Sequence, residues 1–464
     1  MNAVESLEQL RADAAGLADA FERAGHHLYA VGGSVRDALL GTSRRGGDYE
    51  IDFTTDARPD EIVAVMAPLC GPLWEQGRSF GTIGGVVRAG GYKAEVTTFR
   101  SEAYVDHSRK PAVSFGDSLE VDLGRRDFTI NAMALDVVTG AFHDPYGGVS
   151  DLTARRLRTP HEPEISFNDD PLRMLRAARF AARLHLEIDP LIERAATALA
   201  ERLAIVSAER VRGELDLLLV TEVPSEGLSF IVRTGLAAHF LPELPGLALE
   251  QDPIHQHKDV LAHTLAVVDK TSPRLVLRLA ALLHDIGKPR TRAYTPGGVT
   301  FHHHEVVGAR MARKRMEALR YPQALTDDVV ALVDLHLRFH TYKMGWSDAA
   351  VRRYVRDAGD LLDELNELTR CDCTTRNARK ATLLARRMDE LEARIAELAE
   401  QEELSKIRPA LDGNAVMAIL GVPPGRVVGE ALDFLLEIRL DEGEIGEEAE
   451  TLRLRQWWAQ RSAP

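Results

Sequence analysis

Cysteine is nearly absent from this chain, with three residues in 464, at Cys70, Cys371 and Cys373. The odd total gives no disulfide framework, and Cys371-Asp372-Cys373 lacks the two-residue gap of a thioredoxin-like or zinc motif. Long hydrophobic runs are missing too. No apolar stretch reaches the roughly 18 residues that cross a bilayer. The opening segment carries Glu5, Glu8, Arg11, Asp13 and Asp19 among its apolar residues, a surface-helix pattern and not that of a secretory leader. The expectation is a cytoplasmic protein with no membrane partner. Nor is there an excess of positive charge: 71 acidic against 57 basic residues leave a net charge of −14, which argues against indiscriminate nucleic-acid binding. There is no internal repeat.

The charge is uneven, however. Arg155, Arg156, Arg158, Arg173, Arg176, Arg179 and Arg183 gather in one region, and Glu442, Glu444, Glu447, Glu448 and Glu450 in another. A local basic surface engages phosphates even on an acidic protein. The length exceeds what one hydrophobic core serves, so several domains are expected, and 45% hydrophobic residues suffice to build their cores.

Within the basic region, Asn168-Asp169-Asp170-Pro171-Leu172-Arg173 leads into Met174-Leu175-Arg176-Ala177-Ala178-Arg179-Phe180. A helix starting at Pro171 puts Asp170 and Arg173 on one face, three residues apart. Cytosine and adenine each offer an amino donor beside a ring-nitrogen acceptor, which a carboxylate and a guanidinium can match. Uracil and guanine present the reverse order, and each mispaired buried group costs roughly 1–3 kcal/mol. An ordinary capping Asp with a solvated arginine stripe has the same sequence.

Upstream, Leu28-Tyr29-Ala30-Val31-Gly32-Gly33-Ser34-Val35-Arg36-Asp37 reads as strand, glycine turn and helix start, with Ser34 as the cap. Paired glycines let backbone N–H groups approach a triphosphate closely. The next strand places Asp48, Glu50 and Asp52 on one face, because strand side chains alternate. Clustered carboxylates repel unless a cation neutralises them, and oxygen ligands of this kind suit Mg²⁺. Tyr92 to Arg100 reads as another strand, with Glu95 either a third acid or a solvent-facing charge.

Together Gly32-Gly33-Ser34-Val35-Arg36-Asp37, Glu50-Ile51-Asp52, Arg125-Arg126-Asp127-Phe128-Thr129-Ile130-Asn131, Asp170 to Phe180, and Ser207-Ala208-Glu209-Arg210-Val211-Arg212 resemble the bacterial class II tRNA nucleotidyltransferases, the CCA-adding enzymes and poly(A) polymerases. The resemblance covers residues 25–215. It implies an α+β chain with a polymerase-β-like nucleotidyltransferase head and a helical neck, tRNA as partner, CTP and ATP as substrates, and Mg²⁺ in the head. It assigns the triphosphate to Gly32, Gly33 and Arg36, and ribose and phosphates to Arg126, Asp127 and Asn131. Asp170 and Arg173 become the base-reading pair, supported by Arg176 and Arg179, and Glu50, Asp52 and Glu95 become the catalytic acids. The family's usual first acid is Asp, and Glu50 stands in its place.

Farther on, an adjacent His-Asp pair in an apolar segment, Leu282-Leu283-His284-Asp285, needs compensation such as a metal. With His263 in Gln256-His257-Lys258-Asp259-Val260-Leu261-Ala262-His263, and with Asp372, it resembles the all-helical HD phosphohydrolases. That resemblance implies a divalent transition metal on His263, His284, Asp285 and Asp372, with His304 and His336 candidates for a second. The expected organisation is a head over 1–150, a helical neck and RNA-binding region over 151–250, an HD-like metal domain over 251–375 and a helical tail over 376–464. A poly(A) polymerase carries the same five motifs. An HD phosphohydrolase with a degenerate, RNA-binding head is the other reading, and Glu50 keeps it open.

Overall fold

The computed structural model describes residues 2–42, 49–103, 112–116, 118–249, 259–295, 298–341, 346–373, 378–401, 404 and 407–461. Asp48, Gln256, His257 and Lys258 lie outside them. The chain forms two compact units, Met1–Phe240 and Leu241–Pro464.

The first unit begins with the helix Ala3–Arg23, started by a capping box between Asn2 and Glu5. Its Leu10, Ala14, Leu17 and Phe21 form one buried stripe. The strands are β1 Leu28–Val31, β2 Glu50–Thr55, β3 Thr82–Val86, β4 Lys93–Thr98, β5 Arg100–Ala103, β6 Ala112–Phe115, β7 Ala134–Asp136 and β8 Phe142–His143. Six of them make a mixed sheet in the order β3-β4-β2-β1-β7-β8, and β5 pairs separately with β6. Only the β2–β4 pairing in the sheet is parallel, and it sets Asp52 directly beside Glu95. Alternation does the rest: Ile51, Phe53, Ala94 and Val96 enter the core with the stripe of the first helix, and Glu50, Asp52 and Glu95 take the other face.

Helices Pro163–Asp169, Arg173–Leu184, Pro190–Ala198, Ala208–Leu219 and Pro224–Arg233 follow, with a short parallel pair between Arg156–Leu157 and Glu187–Ile188. The basic helix starts at Arg173 and not at Pro171. Asp170 is extended, at φ −141° and ψ 102°, because the residue before a proline is kept out of the α region. It therefore closes the preceding helix, and Pro171–Leu172 form a turn between the two.

The second unit is largely helical. Leu275–Leu283 is buried nearly all round and ends at His284. Val260–Lys270, His304–Ala318, Gln323–Leu335 and Leu362–Asp372 are further helices of this unit. A small hairpin joins Ala293–Thr295 to Gly298–Thr300. The helix Ala378–Gln401 is followed by Gly413–Leu420, Arg426–Glu442 and Glu447–Arg461, which share a core of Val416, Ala431, Leu435 and Leu454. Among the described residues no helix is long and apolar enough to cross a membrane.

Candidate functional site

Carboxylate oxygens of Glu50, Asp52 and Glu95 lie within 4.8 Å of one another. Burial raises the Asp52 carboxyl above its ordinary range, with Arg126 opposing and Glu95 adding to the shift. Glu50 is raised too, by burial and then by Asp52 and Glu95. Three clustered hard oxygen donors fit a divalent cation such as Mg²⁺.

The glycine turn sits against this triad. Gly32 has φ +68°, a conformation that favours glycine, and a Cβ there would lie 3.0 Å from Arg126 Nη1 and 3.6 Å from Asp52 Oδ2, so the turn, Arg126 and the acid border one space. Ser34 is not the helix cap. Gly32 occupies that position, and the Ser34 hydroxyl lies 3.3 Å from both the Glu50 carbonyl and the Asp52 N–H. One residue into the helix, the hydroxyl is too late to reach the free N–H groups, and it ties the turn to β2 instead.

A second set of side chains runs from the head into the neck. Arg36 is 2% exposed; it donates to Asp37 at 2.7 and 2.9 Å and to Asn131 Oδ1 at 2.5 Å. Asn131 donates to Asp127 Oδ1 at 2.9 Å, and Arg176 donates to Asp127 Oδ2 at 2.8 Å. Glu214 then accepts from Arg176 at 3.4 Å and from Arg179 at 2.6 Å. The Phe180 ring packs among Arg36, Arg176 and Arg179, whose guanidinium carbons are 5.1, 5.4 and 4.2 Å from its centroid. Burial alone would raise the Asp127 carboxyl; Arg176, Asn131 and Arg173 outweigh it and hold the group at about 2. Gly33 borders Arg36.

Asp170 and Arg173 are each engaged within the chain. Asp170 Oδ1 accepts from the Leu172 N–H at 3.1 Å and Oδ2 from Arg210 at 2.8 Å. Arg173 donates to Ser166 Oγ at 2.8 Å and to the Arg125 carbonyl at 2.6 Å. A cavity of about 390 Å³ opens beside Arg173, bordered by Arg125, Arg126, Tyr146, His161 and Asp169.

Sequence reading missed Glu214, Asp37 and Trp74. Glu214 stands on the buried stripe Val211, Leu215 and Leu218 of its helix, an acid on an apolar face that needs a buried cation. Trp74 carried no signal: its indole lies over Gly84, where a Cβ would meet Nε1 at 2.0 Å, and it donates to Glu95 at 3.5 Å.

In the second unit, His263, His284 and Asp285 form one cluster and Asp285, His304 and His336 another. Asp372 joins the first, 2.9 Å from His263 Nε2 and 3.6 Å from His284 Nε2. The Nδ1 atoms of His284, His304 and His336 face the carbonyls of Ala281, Phe301 and Val333 at 2.8, 2.8 and 2.6 Å. Nδ1 is thereby the donor, and each Nε2 faces inward, where it can bind a cation that displaces its proton. His336 and His304 Nε2 atoms stand 3.2 Å apart and those of His284 and His263 3.4 Å apart, close enough for one cation to bind both nitrogens of a pair. The imidazole and carboxylate donors fit a divalent transition metal. Burial alone would lower the His284 imidazole; Asp285 and Asp372 outweigh it and push it up to about 10. A cavity of about 530 Å³ adjoins the cluster, with Lys288, His340, Arg370 and Lys380 on its wall.

Comparison with known proteins places these features in a wider context. Residues 28–158 match the poly A polymerase head domain, 185–247 the probable RNA and SrmB-binding site of polymerase A, and 259–403 the HD domain. An A-adding tRNA nucleotidyltransferase of Deinococcus radiodurans is 35% identical over 453 residues, covering 93% of this chain and 95% of that protein. A CCA-adding enzyme of Geobacillus thermodenitrificans is 41% identical over 236 residues, 51% of this chain and 55% of its own length. Among solved structures, the Bacillus stearothermophilus CCA-adding enzyme in complex with CTP aligns with a TM-score of 0.71 at 26% identity, over 97% of this chain and 98% of that one. The Thermotoga maritima CCA-adding enzyme complexed with tRNA shares the fold at a TM-score of 0.60 and 19% identity, over 98% of each chain.

Proposed function

The chain belongs to the class II family of CCA-adding enzymes and poly(A) polymerases and is a tRNA nucleotidyltransferase, and from that premise we propose that it adds CMP, CMP and AMP to tRNA 3′ ends from CTP and ATP. The observation that carries the reading is the packing of Gly32, Arg126 and Asp52 into one space, which brings a phosphate-binding turn to the metal-binding acids.

In this mechanism Glu50, Asp52 and Glu95 would hold Mg²⁺, which when bound would supply Lewis-acid activation of the attacking hydroxyl and charge neutralisation at the pyrophosphate. The backbone of Gly32 and Gly33 and the Arg126 guanidinium take the phosphates. The tRNA 3′-oxygen forms a bond to the α-phosphorus as the bond to pyrophosphate breaks. The Arg36–Asn131–Asp127–Arg176 chain holds the ribose side of the pocket in fixed geometry, and Asp170 and Arg173 read the base edge. Both are held by internal hydrogen bonds, and the base edge meets the lone pairs and N–H groups that those bonds leave over, so a base of the wrong polarity finds no partner there. Catalysis is positioning and electrostatics throughout.

The similarity to an A-adding enzyme over nearly the whole chain favours a second reading, addition of the terminal AMP alone. The test is incorporation onto tRNA ending before the CCA and onto tRNA ending in CC. CCA addition extends the first with CTP and ATP together. A-only addition extends just the second, and a ladder of A residues on either marks a poly(A) polymerase.

For the second unit we propose a metal-dependent phosphohydrolase centre, with His263, His284, Asp285 and Asp372 on one metal and His304 and His336 with Asp285 on another. Lys288, Arg370 and Lys380 on the wall of the adjoining cavity support an anionic substrate. His284→Ala combined with Asp285→Ala is expected to strip bound transition metal, read by elemental analysis, and to end any phosphatase or phosphodiesterase activity. Nucleotide addition stays intact, since its ligands come from the other unit. Loss of addition in a folded double variant would couple the two centres.

A further inference from the structure

Two arginines from downstream elements hold the segment that ends in Asp170. Arg202 donates to the Asn168 carbonyl at 3.0 Å, and Arg210 donates to Asp170 Oδ2 at 2.8 Å. Arg210 sits in the first turn of the helix Ala208–Leu219, which Ser207 caps. One turn farther along the same helix, Glu214 holds Arg176 and Arg179. A single helix thus touches the proposed base-reading acid from its first turn and the arginines of the nucleotide pocket one turn later.

Stability does not account for the Arg210 contact. Its side chain is 54% exposed and that of Asp170 29%, and such a pair contributes at most about 1 kcal/mol. Orientation does. The Asp170 carboxylate turns about two side-chain torsions, the second of them broad, and the Leu172 N–H fixes only Oδ1. A carboxylate offers acceptors alone, and whether one of them meets an exocyclic amine depends on how the group is turned. With Oδ2 pinned by Arg210, the remaining lone pairs have fixed directions. Unpinned, the group swings, its acceptor leaves the edge position, and bases with a carbonyl there lose their penalty.

Resting on the base-reading role proposed for Asp170, we infer that Arg210 is a specificity-determining positioning residue: it orients the Asp170 carboxylate so that amino-bearing bases are selected over carbonyl-bearing ones. Arg210 does not touch the nucleotide in this scheme. Its whole effect on selection passes through Asp170.

The experiment measures kcat/KM for CTP, ATP, UTP and GTP on a tRNA acceptor with Arg210→Ala, Arg210→Lys, Asp170→Ala and the Arg210→Ala/Asp170→Ala double variant, with thermal melting to establish folding. Arg210→Ala is expected to lower the preference for CTP and ATP by roughly 10-fold, the discrimination one misaligned hydrogen bond carries. Arg210→Lys restores part of it, because an ammonium keeps one donor in reach. The double variant discriminates no worse than Asp170→Ala. Unchanged selectivity in Arg210→Ala, or losses that add in the double variant, overturn the inference while leaving Asp170 as the base reader. Unchanged selectivity in Asp170→Ala removes the base-reading role itself, and the inference with it.

Discussion

Asp52→Ala is expected to lower nucleotide addition by about 1,000-fold or more, ~4 kcal/mol of transition-state stabilisation, with CTP affinity little changed. In the proposed mechanism the acid would face the metal, and other groups would hold the triphosphate and base. Glu50→Ala should behave alike, whereas Glu50→Asp keeps or raises activity by restoring the shorter ligand of the family. Rapid-quench rates at saturating CTP separate these outcomes. Full activity in Glu50→Ala would shift the partnership with Asp52 to Glu95 or Asp48. A wild type inactive until Glu50→Asp would favour the HD-centred reading.

The same acid makes a prediction without substrate. Its folded-state carboxyl is raised, so ionisation costs folding stability as pH rises above the ordinary carboxylate range. Asp52→Asn should therefore melt higher than wild type in chelator at neutral pH. Saturating Mg²⁺ should reverse the order, because a cation that binds only the native site stabilises wild type alone. An unchanged order in both buffers would remove the cation from the triad.

Asp127→Ala is the second large effect. It takes the central acceptor from the Arg36–Asn131–Asp127–Arg176 chain and leaves Arg176 with Glu214 alone. Removing the carboxylate from this part-buried, charge-assisted pair costs roughly 1.5–3 kcal/mol, enough to unfold a marginal unit and to disorder the nucleotide pocket in a stable one. The pH dependence has a definite sign. Asp127 is held at about 2, below its usual value near 3.9. Its contribution is fully present above about pH 4 and is lost as pH falls toward 2. Urea titrations at pH 3 and pH 6 should show Asp127→Asn losing far less stability on acidification than wild type. Equal losses would relocate the acid sensitivity.

Much of this was legible in the sequence because it depends on local periodicity. Alternation in Glu50-Ile51-Asp52-Phe53 assigns acids to one face and apolar residues to the other, and the strand does so. The apolar setting of His284-Asp285 announced a buried polar pair in the same way. The failures are local chemistry misjudged by one or two residues. Ser34 lies inside the first turn, and Asp170 is forced out of the helix by the proline after it. What no local pattern carries is who meets whom across the chain. Glu214 could be recognised as an anomaly but not matched to Arg176 and Arg179, and the Trp74 indole over Gly84 follows only from tertiary packing.

The lone parallel pairing of the sheet has a consequence for how the head comes to be active. β2 and β4 cannot close as a hairpin; a helix and β3 lie between them in the chain, so their juxtaposition is a long-range event. Asp52 meets Glu95 in one alignment only, and a slip of a single residue turns Glu95 into the core and brings a hydrophobic side chain to the acid face. The acidic triad is thus completed only by correct strand pairing: a head whose β4 has slipped by one residue keeps Glu50 and Asp52 together on β2 but loses Glu95, and with it the third oxygen donor of the site.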